Sequence, residues 1–210
     1  MRPLKLVLFS AVAALALVAL GNASASATTL CSTNTSACTG TIYKSGTTIS
    51  ASLKAATIFT SFFTNITCQK SALGGKTTSN GGAGLPVTAS ITSLTVEECK
   101  TTGLNECTLT AANLPWSASF SANGGGNGSL LLSSSGVGNP AVHLNCGGGA
   151  VMDCTVKATT LTLNVTGGNP MATAAGKELP MEEEGKLCSK EYKWDVEYEI
   201  TAPKPLFVVF

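Results

Sequence analysis

Arginine occurs once in this chain, at position 2, and histidine once, at position 143. Aspartate occurs twice, as Asp153 and Asp195. Charged residues make up 12% of the 210 positions and aromatics 6%. Each shortage excludes something. Without arginine past residue 2 the chain lacks the bidentate fork that grips phosphates and carboxylates. Its lysines and acids nearly balance, so no basic field is available to hold a nucleic-acid backbone. One histidine and two aspartates leave little material for acid–base relays. What is abundant is Ser and Thr, about a quarter of the residues from position 28 onward.

The first 27 residues read as a secretory signal. Arg2 and Lys5 form a positive start, Leu6 to Leu20 is an apolar run, and Ala23, Ala25 and Ala27 offer small-residue cleavage sites. The run is short of the ~20 residues a spanning helix needs. No later stretch reaches that length either. The expectation is export, cleavage after Ala27, no membrane span afterwards, and one domain over 28–210, enough chain to bury a core.

Eight cysteines follow: Cys31, Cys38, Cys68, Cys99, Cys107, Cys146, Cys154 and Cys188. An even number in an exported chain predicts disulfides. Pairing by proximity gives 31/38, 99/107 and 146/154, with Cys68 and Cys188 left as a long-range bridge. A chain-entropy argument assigns roughly 2.5 kcal/mol to each short loop and about 5 kcal/mol to the long one. Zinc is not expected, because structural sites place two to four residues between paired cysteines and these gaps are longer.

Period-two alternation runs through the chain. Ile49-Ala51-Leu53, Trp116-Ala118-Phe120 and Leu161-Leu163-Val165 alternate with Ser, Thr, Lys and Asn. So do Tyr192, Trp194, Val196, Tyr198 and Ile200, against Lys193, Asp195, Glu197, Glu199 and Thr201. That pattern predicts half-buried antiparallel strands with hydroxyls on the wet face. Glycine-rich breaks such as Asn80-Gly81-Gly82 and Asn123 to Gly128 supply turns. The predicted fold is all-β, a disulfide-stapled antiparallel β-sandwich. Only Lys177 to Lys186 resembles a helix, and Pro180 and Gly185 limit it to about one turn. A membrane barrel is not expected, because aromatic girdles and an apolar outer band are missing.

Little in the sequence points to catalysis. His143 sits in a strand-like segment without a G-x-S-x-G elbow, so a structural or surface role is expected. Asp195, Glu197 and Glu199 share a strand face at about 7 Å spacing, which resembles glycosidase carboxylates but follows from any strand. Glu97 and Glu98 are adjacent and are expected on opposite faces. Glu182, Glu183 and Glu184 form an acidic run, read as a solvated segment rather than a Ca²⁺ site. Trp116, Trp194, Tyr192 and Tyr198 are expected in the core rather than as a sugar platform. Asn34, Asn65, Asn127 and Asn164 each begin a glycosylation sequon.

Gly75 to Gly82, Asn113-Leu114-Pro115-Trp116, Val165 to Pro170 and Pro203-Lys204-Pro205-Leu206-Phe207-Val208 form a further set of turn and strand patterns. Together with the cysteine order, they resemble a family of secreted, cysteine-containing β proteins of soil actinobacteria. The resemblance implies secretion and a β fold, and it brings no activity. By subtraction, the residues point to a non-enzymatic secreted or surface binding protein, with no cofactor and with cell-wall polysaccharide or another surface protein as partner. The competing expectation is a secreted polysaccharide hydrolase using carboxylates near Asp195 to Glu199. A cleft holding two of those acids beside aromatics favours the enzyme, whereas a filled core with the acids on an open face favours the binder.

Overall fold

The computed structural model describes residues 27–62, 64–101, 104–147, 152–184 and 188–210. Of the expected signal segment only Ala27 falls among them. The described residues form fourteen strands: β1 Thr29–Cys31, β2 Thr48–Leu53, β3 Thr57–Ser61, β4 Asn65–Thr77, β5 Val87–Thr101, β6 Leu104–Ala112, β7 Trp116–Gly124, β8 Asn127–Ser133, β9 Ala141–Cys146, β10 Met152–Lys157, β11 Thr160–Thr166, β12 Ala172–Glu184, β13 Glu191–Ala202 and β14 Phe207–Val209. The architecture is the expected one, an antiparallel β-sandwich with four disulfides.

Four of these strands are long, and they come as two hairpins, β4–β5 and β12–β13. Each long strand changes partner partway along. One half of the four-strand frame is completed by β7, β8, β11 and β2, so that pairing runs β5-β7-β8-β11-β12-β13-β2-β4 and returns to β5. The other half is completed by β6, β9, β10 and β3 and also returns to β5. The sandwich therefore closes at both edges into two flattened rings that share the long strands. Closure removes the open edges that invite aggregation. A small sheet of β1 and β14 lies outside this frame.

Sharing requires the long strands to bend, and bulges let them do so. On β4–β5 the register shifts between Gly74 and Gly75, where a Cβ on Gly75 would meet the carbonyl oxygen of Ser90. On β12 it shifts between Gly176 and Leu179, with Glu178 at φ 50°. On β5 it shifts again between Val96 and Cys99, with Glu98 at φ 54°.

That last bulge corrects one expectation. Strict alternation would send Glu97 and Glu98 to opposite faces. The extra residue lets both stay exposed while Val96 and Cys99 are both buried. Glu98 pairs with Lys70, and the lysine pKa is raised by that bond first, then by the charge of Glu98, with Glu97 adding a smaller push.

The helical turn expected from Lys177 is also absent, because the described part of that segment, through Glu184, belongs to β12. Pro180 sits where β12 has left β11, after Ala175, and has not yet met β10, at Glu182. One side of the strand is unpartnered there, and a proline is tolerated on such a stretch. The rest of the expected turn, Gly185 and Lys186, lies outside the described residues.

The disulfides are Cys31–Cys38, Cys68–Cys99, Cys107–Cys146 and Cys154–Cys188. Only the first is a pair that proximity predicts. The expected 99/107, 146/154 and 68/188 bridges do not form. Strand pairing is the reason: Cys68 on β4 faces Cys99 on β5, and Cys107 on β6 faces Cys146 on β9.

The core contains the aromatic residues the alternation places inside. Trp116, Trp194, Tyr192 and Tyr198 are each 1% exposed. Trp194 stacks on Phe59, with ring centroids 5.3 Å apart. Its Nε1–H donates to Thr57 Oγ1 at 2.7 Å, and the threonine hydroxyl donates in turn to the carbonyl of Asp195 at 2.6 Å. Trp116 Nε1–H donates to the carbonyl of Ala112. Buried aromatics with a polar tip need such partners.

Candidate functional site

A concavity of about 820 Å³ lies where β3, β12 and the start of β13 meet. It is positioned by register. Tyr192 faces Met181 on β12 and Ser61 on β3, and Lys193 faces Pro180 and Thr60. Phe59 keeps to the core beneath, so period two makes Ser61 its same-face successor and turns Phe62 outward. Phe62 is 90% exposed and lines the cleft.

The walls mix apolar and polar groups. Phe62, Pro180, Met181 and Tyr192 supply the apolar surface. Glu178, Glu182 and Glu191 supply carboxylates, and Lys190 and Lys193 ammonium groups. Glu182 and Glu191 stand directly opposite one another on β12 and β13, a like-charge pairing that costs stability. Lys193 Nζ lies 3.6 Å from Glu178 Oε2. Tyr192 donates to Met152 Sδ at 3.9 Å, and burial raises its pKa above the usual tyrosine value, only partly offset by hydrogen bonds from Ser189 and Ser61. Ser189 is 6% exposed, lines the same cleft, and its Oγ has no hydrogen-bond partner. A buried hydroxyl without a partner is costly.

The residues singled out in the sequence fall elsewhere. Asp195, Glu197 and Glu199 lie on the outer side of β13, while the aromatics between them face in. Asp195 accepts a hydrogen bond from the Glu178 N–H through Oδ1, bracing the bulge opposite. Glu197 accepts from Lys54 at 2.8 Å. A depression of about 410 Å³ does include Asp195 and Glu197, but alanines, a glycine, Asn164, Lys177 and Val196 complete it, with no aromatic. Both acids are thus on an open face and engaged structurally.

His143 on β9 has more company than its sequence surroundings indicate. Nε2 is 3.2 Å from Asp153 Oδ1, and Nδ1 is 3.2 Å from Thr155 Oγ1, both residues on the neighbouring β10. Acid, imidazole and hydroxyl are in line. The imidazole and carboxylate are 40% and 56% exposed, and that access to water weakens the low-dielectric setting that makes such a relay useful. The array is a surface contact across two strands.

The acidic run divides. Glu182 faces the cleft, while Glu183 has a buried Oε1 without a hydrogen-bond partner; the Glu184 side chain lies outside the description. Among the described residues one trio of metal-ligand type groups, Cys154, Glu183 and Cys188, falls within 4.8 Å. The two sulfurs are bonded to each other, so neither offers a thiolate. A further feature is an uncharged hydroxyl face in which Ser117, Ser133 and Thr160 form one row across β7, β8 and β11, and Ser119, Leu131 and Thr162 the next.

Sequence reasoning missed the cleft residues Phe62 and Ser189. The signal for Phe62 was its odd spacing from Phe59. Ser189 had none, because its burial depends on the turn between β12 and β13.

No helix among the described residues is long and apolar enough to cross a membrane. No family model, no curated protein and no solved structure matches the chain.

Proposed function

We propose that this is a secreted, non-enzymatic carbohydrate-binding protein that seats a wall polysaccharide in the cleft between β3, β12 and β13. The observation that carries the proposal is the exposed Phe62 ring set beside carboxylates and ammonium groups. A sugar presents apolar C–H faces and a girdle of hydroxyls. An exposed ring takes the face, while carboxylates accept from the hydroxyls and lysines donate to them. Three carboxylates against two ammonium groups leave the cleft slightly acidic, which suits an uncharged polymer better than a polyanion.

Export is supported by the signal-like start and by four disulfides, which are typical of extracellular proteins. The likeness to secreted actinobacterial proteins agrees with it. The binder is favoured over the hydrolase because Asp195 and Glu197 brace structure on an open face and have no aromatic beside them.

The test is co-sedimentation with purified, insoluble wall polysaccharide, with reducing ends assayed in the supernatant. Wild-type protein should pellet with the polymer and release no reducing ends, and Phe62→Ala should lose most of the binding. Binding unaffected by Phe62→Ala would remove the cleft from the account. Release of reducing ends that disappears in Glu197→Gln would establish the hydrolase instead.

A further inference from the structure

Four cysteines stand in one row across four neighbouring strands. Cys68 on β4 faces Cys99 on β5, Cys99 faces Cys107 on β6, and Cys107 faces Cys146 on β9. Bonds join the two outer pairs, whose Cα atoms are 4.0 and 4.1 Å apart. The middle pair, Cys99 and Cys107, has the same register relation without a bond. Facing Cα atoms on antiparallel strands are about 4.5–5.5 Å apart, and a disulfide needs no more than about 7 Å. By that spacing the middle pair lies within Cα reach of a disulfide, its pairing standing between two register shifts, at Val96/Cys99 and at Cys99/Thr101.

The bulge at Glu98 creates this alignment. Without the extra residue, Glu98 rather than Cys99 would follow Val96 into the core. Cys68, Cys99 and Cys146 are buried, whereas Cys107 is only partly so. A cleft of about 620 Å³ opens at the middle of the row, lined by both Cys99 and Cys107, with Lys100 and the carboxylates of Glu98 and Glu106 also on its walls.

We propose that Cys107 is an attack site for a low-molecular-weight thiol, and that the four cysteines form an exchangeable ladder whose alternative bond is Cys99–Cys107. An external thiolate attacks Cys107 Sγ; the bond to Cys146 breaks, and Cys146 leaves as a thiolate that takes a proton. A second external thiolate attacks the added sulfur, producing the small-molecule disulfide and releasing Cys107 as a thiolate. These two steps move two electrons from two external thiols to one protein disulfide. Cys107 then attacks Cys99, the Cys68–Cys99 bond breaks, and Cys68 leaves and is protonated. This last step is redox-neutral. Displacement at sulfur runs in line, and the row places attacking Cys107, central Cys99 and leaving Cys68 in that order across the sheet. Reduction delivered at the partly buried Cys107 thus ends at Cys68, a fully buried residue.

Limited reduction of the full chain with glutathione, acid quenching, alkylation and peptide mapping test the ladder. The expected product carries a Cys99–Cys107 bond with Cys68 and Cys146 alkylated. Recovery of Cys68–Cys99 intact, with only Cys107 and Cys146 alkylated in this row, would overturn the proposal. A second measurement uses Cys146→Ser, which frees Cys107 without any reductant. Peptide mapping should then find the Cys99–Cys107 bond and a free Cys68. A variant that folds with Cys107 as the sole free thiol of the row contradicts the exchange. If the variant does not fold, the wild-type reduction alone decides.

Discussion

Tyr198 Oη lies 2.7 Å from Ser71 Oγ in the core, joining β13 of one long hairpin to β4 of the other. Ser71 donates its own hydrogen to the Thr95 carbonyl at 2.7 Å, so Tyr198 is the donor to Ser71. The arrangement repeats at Trp194, where Thr57 accepts from the indole and passes a hydrogen to the Asp195 carbonyl. In both places a small buried hydroxyl lets an aromatic donor sit in the core without an orphaned N–H or O–H.

The order of donation makes the two partners of the first pair unequal. Ser71→Ala leaves a buried phenol with nothing to donate to and should cost about 1–3 kcal/mol. Tyr198→Phe leaves Ser71 still bonded to Thr95 and should cost less, about 0.5–1.5 kcal/mol. Urea titration of both variants checks the order.

The same pair sets a pH dependence. Burial pushes the Tyr198 pKa up to about 12, with the Ser71 hydrogen bond opposing it weakly, against about 10 in the unfolded chain. The unfolded state therefore loses its proton first. The contribution of Tyr198 is fully present below about pH 10, falls between about pH 10 and 12, and changes no further above that. The loss should be on the order of 1.4 kcal/mol per pH unit across the window. Tyr192 acts in the same sense, because burial raises its pKa too. Denaturant unfolding at stepped pH should show the fall in wild type and a shallower one in Tyr198→Phe.

Much of this fold was legible from periodicity. The buried faces of β7, β11 and β13 are the apolar sets that alternation selects, since one buried face imposes period two on each strand. Three things were not legible, and they share a cause. The cysteine partners depend on which strands lie side by side, and β6–β9 and β4–β5 are not related by loop length alone. The bulges at Glu98 and Glu178 invert the alternation locally, so Glu97-Glu98 reads wrongly from spacing. Pro180 breaks a helix pattern but is accommodated in a strand with one open side. Of the candidate site's carboxylates, only Glu182 stood out, within the acidic run, and the cleft was not legible, because it forms only when β3 is brought against β13.

The Glu98 bulge gives a backbone prediction. A non-glycine residue at positive φ carries a steric cost of roughly 1–2 kcal/mol, and Glu98 sits at φ 54°. Glu98→Gly relieves that cost at the expense of an exposed pair with Lys70, worth little. The variant should be as stable as wild type or more so. Glu97→Gly, at the neighbouring position that keeps its pairing with Lys70 on β4 and has no positive φ, should lose about 0.5–1 kcal/mol. Thermal unfolding of the two variants side by side separates a bulge from a continuous strand.

The two faces of β13 should respond differently. Trp194→Ala removes a buried ring stacked on Phe59 and should cost about 3–5 kcal/mol. Lys193→Ala and Glu197→Ala remove exposed partners of Glu178 and Lys54 and should each change stability by about 0.5 kcal/mol or less. Guanidinium titration of the three variants is the check, and equal losses at all three would contradict the assigned faces.

Binding in the cleft requires that a glycan touch the surface at β3, β12 and β13 and nowhere else. Amide chemical-shift mapping of the full chain, titrated with soluble wall oligosaccharide, reads that directly. The expected result is shifts concentrated at Thr60 to Phe62, Glu178 to Glu182 and Ser189 to Lys193. Shifts confined to the hydroxyl rows of β7, β8 and β11, or to Asp195 through Glu199, or no shifts at all, would contradict it.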